Sequence, residues 1–203
     1  MPADRRPPAP RRPAPAGAPG RARAVATALL AASAAALACG ASGADGPTAG
    51  GDCPEGNARL CGMVAAHDAA RAGVRPAPGT PLPAMHWDAA AAAAAQAWAD
   101  QCRFSHSAAG YGQNLYASAG SGYPAPQAAV GSWMSEAASY DYASNTCSGT
   151  CGHYTQVVWR TSTGLGCGIK ACSTNSPFGG FRDWYLVVCN YSPPGNYVGQ
   201  RPY

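Results

Sequence analysis

The spacing of hydrophobic positions changes character along the chain. From 24 to 38 the residues AVATALLAASAAALA form an uncharged, mostly apolar run of fifteen. Between 55 and 72, EGNARLCGMVAAHDAARA places Leu60, Met63 or Val64, His67 and Arg71 at intervals of three and four. With Gly73 as a stop, that spacing predicts a first helix. The stretch from Pro76 to Pro83 is rich in proline and reads as loop. Asp88 then precedes seven alanines, Gln96, Ala97 and Trp98. A carboxylate that can accept from the first unpaired N–H groups, followed by the strongest helix former, predicts a second helix with Trp98 as its large anchor. A third begins near Pro126, where QAAVGSWMSEAASY sets Val130, Trp133, Ala137 and Tyr140 on one stripe with Glu136 at its edge.

The last third loses this helical period. Gly166 to Cys172 and Trp184 to Tyr191 are short and rich in Ile, Val, Tyr, Trp and Cys. The turn-forming stretch from Ser173 to Gly180 separates them, which predicts an antiparallel pair at the centre of a sheet. Helices early and strands late, without βαβ alternation, indicate an α+β fold. The run HYTQVVW, 153 to 159, stays open between strand and helical turn, because a short apolar run has no decisive period.

Composition adds a compartment. At 203 residues, 47% hydrophobic and 12% charged, the chain suits one compact domain plus an accessory segment. Its formal charge of +4 comes from the leader, where Arg5, Arg6, Arg11, Arg12, Arg21 and Arg23 face only Asp4. From Cys39 onward eight basic residues face nine acidic ones, a net charge of −1. That balance offers no electrostatic footprint for nucleic acid. Basic start, apolar run and the small-x-small Ala36-Leu37-Ala38 make residues 1–38 a secretory signal, too short for a comfortable bilayer span.

Nine cysteines in an exported chain leave one over after pairing. Cys39 is the natural odd one out. It follows the cleavage pattern and opens a Gly/Ala/Ser-rich tether to residue 52. Its setting resembles the lipobox of bacterial lipoproteins, although Ala36 stands where that box usually has Leu. Lipidation at Cys39, with membrane contact only through that anchor, and simple secretion both stay open. The eight cysteines from 53 to 189 lack the paired short spacing of zinc ribbons. Four disulfides are expected instead, each contributing about 2–4 kcal/mol by restricting the unfolded chain.

Polar chemistry is sparse. The imidazoles are His67, His86, His106 and His153, and Glu136 is one of only two glutamates. His106 lies in CRFSHSAAGYGQN, read as a polar, glycine-containing loop, with no apolar face to pack against. Two histidines and a carboxylate are the set that catalytic zinc sites use with an open fourth position.

The segments AHDAAR, MHWDAAAAAAAQAWA, GQNL, GHYTQVVWRTSTGLGCG and YLVVCNYSPPGNYVGQRPY, in order between about residues 60 and 203, resemble the CAP superfamily. This is also called the SCP or PR-1-like family, and the similarity is strongest to its plant pathogenesis-related branch. The resemblance implies a disulfide-rich, three-layer α-β-α sandwich over residues 53–203, exported, and expected as a monomer. It implies a cleft built from His106, His153 and Glu136. Gln113 stands where the family carries a second acid, so any divalent metal, zinc foremost, would be held by His106, Glu136 and His153 with water. It further implies the pairs Cys102–Cys172, Cys147–Cys151 and Cys167–Cys189, leaving Cys53 with Cys61. His67 takes a structural role by the same comparison, and His86 is expected to be structural or exposed.

Three functions follow as expectations. The first is a non-enzymatic extracellular binding module, for sterol, fatty acid or a host or defence partner. The second is a zinc-dependent hydrolase using His106, Glu136 and His153. The third is the precursor of a signalling peptide spanning 193–203, against an ordered tail that packs back on the domain.

Overall fold

A computed structural model of the protein describes residues 57–203. The readings of residues 1–38 as signal, 39–52 as tether, Cys39 as lipid carrier and Cys53 as a disulfide partner fall outside the described residues.

The chain is a mixed α and β domain with helices on both faces of a central sheet. Helices α1 (Met63–Ala72), α2 (Ala89–Ala99), α3 (Pro126–Ser135) and α4 (Gly152–Val157) alternate with strands β1 (His86–Trp87), β2 (Gly112–Ala119), β3 (Tyr140–Asp141), β4 (Thr146–Cys147), β5 (Gly164–Cys172) and β6 (Trp184–Ser192). The four-stranded sheet has the order β1-β5-β6-β2, and β3 and β4 form a separate hairpin. Strands β5 and β6 are antiparallel and central, while β1 adds to β5 in parallel.

Period-2 geometry divides the core. On β6, Trp184, Leu186 and Val188 join Ala95 and Ala99 of α2, whereas Val187, Cys189 and Tyr191 face the layer of α1, α3 and α4. Because both faces of β6 are covered, its sequence is an almost unbroken apolar run rather than an alternation. Helix α2 is capped as its sequence predicts, Asp88 Oδ1 accepting from Ala91 N at 3.0 Å. Its buried stripe is Ala91, Ala95 and Ala99. Trp98 packs only in part against this cluster. Small side chains let the helix lie on the sheet, and β5 answers with glycine. A Cβ at Gly166 would collide with Ala92 N and Asp88 O, and one at Gly168 with the Gln96 backbone.

Two elements differ from the sequence reading, and a third that it leaves open is decided. The first helix splits, because Gly62 adopts φ +86 and separates a 3-10 turn at Ala58–Leu60 from α1. The polar segment around Gln113 is not loop but strand β2, paired to β6 along its whole length. HYTQVVW resolves as helix α4, ending at Val157.

The disulfides Cys102–Cys172, Cys147–Cys151 and Cys167–Cys189 are formed. Cys61 is also disulfide-bonded. These bonds fit an oxidising, exported location. Among the described residues no helix is long and apolar enough to cross a membrane. The C-terminal segment packs back on the domain: Pro202 is buried, its carbonyl accepts from Arg160 N at 2.7 Å, and Tyr203 stacks on Tyr142.

Candidate functional site

Helix α4 opens without a capping side chain of its own, since Cys151 at its N-cap makes no such bond. Glu136, just after α3, supplies the cap from outside. Its Oε2 accepts from the backbone N–H of His153 at 2.9 Å and of Tyr154 at 3.2 Å. Anionic charge at a helix start is favoured by the unpaired N–H groups there. Its other oxygen, Oε1, lies 2.6 Å from His153 Nδ1. A carboxylate only accepts, so Nδ1 carries the proton, and in the neutral form of the ring the lone pair lies on Nε2. Trp133 stacks alongside at 6.4 Å between ring centroids and 26° between planes. One glutamate thus starts the helix and fixes the tautomer of the histidine on it.

His106 reaches the same cleft from the exposed segment before β2, its ring centroid 6.3 Å from that of His153. Its Nδ1 lies 3.3 Å from Gln113 Oε1, which also accepts from Ser107 N at 2.9 Å. His106 therefore also holds its proton on Nδ1 and leaves Nε2 as the acceptor. The Gln113 Nε2 atom donates to Ser107 Oγ and to Asn190 Oδ1, both at 2.9 Å, and Asn190 Nδ2 donates to Ala91 O. Position 113 thus needs an oxygen at one end and a donor at the other. A second acid there would set a carboxylate oxygen against Asn190 Oδ1.

A buried chain backs the cleft. His67 is fully buried, with Nδ1 at 2.8 Å from Met63 O and Nε2 at 2.9 Å from Tyr191 Oη. The carbonyl accepts only, so Nδ1–H donates to it and Tyr191 O–H donates to His67 Nε2. Asn114 Nδ2 completes the chain, donating to the Tyr191 oxygen at 3.1 Å and to His153 O at 3.0 Å. Burial, aided by the charge of Arg71 and opposed by the Met63 carbonyl, lowers the His67 pKa to about 4. Burial likewise raises Tyr191 well above its ordinary value, keeping the hydroxyl as the donor the chain requires. His86 is exposed on β1 and takes no part.

The four residues expected at the cleft do not act as equals. Glu136, His153, His106 and Gln113 are brought together, but Glu136 has both oxygens engaged. Among the described residues no three His, Cys, Asp or Glu side chains are grouped to hold a metal ion. With both Nδ1 atoms engaged, the nitrogens left for a ligand are the two imidazole Nε2 atoms. This donor set fits a two-imidazole site completed by water, rather than a three-ligand centre including Glu136. Asn114 is a member that sequence reasoning does not single out, although the strand alternation beside Gln113 marks it as pointing to the opposite face.

Residues 64–191 match the cysteine-rich secretory protein family, CAP. The chain is 42% identical to an Arabidopsis thaliana pathogenesis-related protein 1 over 161 residues, covering 77% of this chain and 86% of the relative. It is 44% identical to the basic form of pathogenesis-related protein 1 of Nicotiana tabacum, covering 68% of this chain and 71% of that one. Among solved structures, venom allergen-like protein 4 of Schistosoma mansoni is similar at 29% identity and a TM-score of 0.54, with 70% of this chain and 90% of that one covered. NaASP2 solved with Zn2+ is similar at 28% identity and a TM-score of 0.56, with 74% and 89% covered. A family match across most of a domain that also carries the sandwich and its disulfides leaves one conclusion: the chain belongs to the CAP family of cysteine-rich secretory proteins, on its pathogenesis-related protein 1-like side.

Proposed function

We propose that the protein acts after export as a non-catalytic binding module, whose cleft takes a divalent metal ion on the Nε2 atoms of His106 and His153. The observation that carries this reading is the engagement of Glu136. A carboxylate held by two backbone N–H groups and an imidazole Nδ1 is an orienting partner, and metal-bound histidines are regularly steadied by such a carboxylate on their second nitrogen. With two protein ligands, affinity is modest and most of the shell is water. The zinc described for NaASP2 lends this reading support by kinship. The same arrangement weighs against a zinc-dependent hydrolase: Glu136, engaged by two backbone N–H groups and His153 Nδ1, is not free to serve as a third ligand or as the base for a metal-bound water.

Calorimetric zinc titration of the folded protein tests the proposal. The His106→Ala, His153→Ala double variant is expected to lose the binding isotherm. Glu136→Gln is expected to keep it, weakened by about 10–100-fold, as substitutions of an orienting partner do. A double variant that titrates like the parent would sink the proposal.

A further inference from the structure

A second concavity lies apart from the imidazole cleft, on the side of α4 that carries Gly152 and Thr155. It encloses about 520 Å³ between the β3–β4 hairpin, the loop closed by Cys147–Cys151 and the C-terminal segment around Tyr197. That size falls within the range of small-molecule sites, about 300–1,000 Å³. None of its lining residues is charged.

We propose that this groove binds a neutral saccharide. Its wall combines the two things a sugar ring requires, a flat apolar face and uncharged hydrogen-bonding groups. Aromatic surface comes from Tyr197, which is 51% exposed, and from half-buried Tyr140, while buried Trp159 backs the groove with its ring centroid 6.0 Å from that of Tyr197 and tilted by 55°. The apolar CH face of a pyranose packs on such rings, which bury large area with little loss of side-chain freedom. Around them the Thr150 hydroxyl, Asn145 Nδ2 and the Gln200 side-chain amide have no hydrogen bond within the described residues. Sugar hydroxyls both donate and accept, and amides and hydroxyls offer both in return. The lining has no cation to attract a carboxylate, sulfate or phosphate group. Its polar atoms would go unsatisfied against a lipid tail.

The site is also pre-formed, which limits the ordering cost of binding. Thr155 Oγ1 donates to Asn196 Oδ1 at 2.7 Å, and Asn196 Nδ2 donates to Gly152 O at 2.8 Å, so the tail is pinned to α4. Tyr140 Oη donates to Asn145 Oδ1 at 2.6 Å, which sets the opposite rim. Asn145 and Asn196 hold left-handed backbone, at φ 55 and φ 60, a conformation that asparagine tolerates better than most residues.

The test is titration of the isotopically labelled protein with cellohexaose and chitohexaose, followed by amide chemical shifts, with hexagalacturonate and a proline-rich peptide as competitors of other chemistry. A neutral hexasaccharide is expected to shift the groove amides saturably at millimolar concentration or below. Tyr197→Ala should weaken that binding at least tenfold, and Gln200→Ala should weaken it less. Both side chains are on the surface, and retained dispersion of the core amides shows that the variants fold. The His106→Ala, His153→Ala protein should bind the sugar as the parent does, which separates this site from the metal proposal. No saturable shift with either neutral sugar, binding untouched by Tyr197→Ala, or tighter binding of the charged oligosaccharide or the peptide would each overturn the assignment.

Discussion

At the level of single residues the cleft is governed by which atoms donate and which accept. Gln113 suits its place because the chain from His106 through Gln113 and Asn190 to Ala91 O runs in one direction. Reversing the Asn190 amide to suit a carboxylate would turn its oxygen onto the Ala91 carbonyl. Gln113→Glu is therefore expected to cost about 1–3 kcal/mol of stability, the usual penalty for an unpaired polar atom, measured by urea unfolding at pH 7. His67 gives a pH dependence of definite sign. Its folded pKa of about 4 lies below the ordinary 6.5, so the unfolded chain takes up a proton that the folded chain refuses. Stability from this group is present above pH 6.5 and is lost as pH falls toward 4, by up to about 3 kcal/mol. Unfolding curves between those limits should be steeper in pH for the parent than for His67→Gln; equal slopes would show that His67 does not titrate as described.

Among the elements, sequence and structure agree wherever one local signal is enough. Asp88 and its alanine run announce α2, and the strand-forming runs of β5 and β6 announce the centre of the sheet. Strand β2 is hidden in the sequence because Gly112, Gln113 and Asn114 place polar or small residues on both faces, and the amide nitrogens of Gln113 and Asn114 find partners distant in sequence, while Asn114 Oδ1 is buried without one. Helix α4 is hidden for the complementary reason. Its cap is Glu136, and no local signal in CGHYTQVVW points to it. The packing of α2 on β5 depends on glycine in a way that can be measured. Gly168→Ala pushes a methyl group into the Gln96 backbone, which cannot rotate away, and is expected to cost about 1–3 kcal/mol or more in urea unfolding. A loss near zero would mean that the helix is free to lift from the sheet.

Across the whole molecule, long-range links hold the cleft in shape. Arg71 on α1 donates to the carbonyls of Pro83, Val157 and Trp159, tying the Pro-rich loop to the end of α4. Gln156 on α4 accepts from Gly195 N and donates to Ser162 Oγ, which in turn donates to Pro193 O, so the start of the C-terminal segment is bound to the same helix. Farther along, Arg201 donates to the carbonyls of Tyr142 and Ala143. Of this arrangement the family and the positions of His106, His153 and Glu136 are legible in the sequence, through motifs long enough to be recognised. The different parts played by Glu136 and the histidines are not, because that distinction rests on which nitrogen each carboxylate or amide oxygen meets.

The cleft's chemistry rests on Glu136 holding the proton of His153 on Nδ1, which leaves Nε2 as the nitrogen for a ligand, as at His106. Long-range proton–nitrogen correlation spectra of the imidazoles, recorded above the histidine titration range and with zinc added stepwise, read this out. Both His106 and His153 are expected as Nδ1–H tautomers, with zinc moving both Nε2 resonances together. An Nε2–H tautomer at His153, or zinc that shifts neither ring, would contradict it.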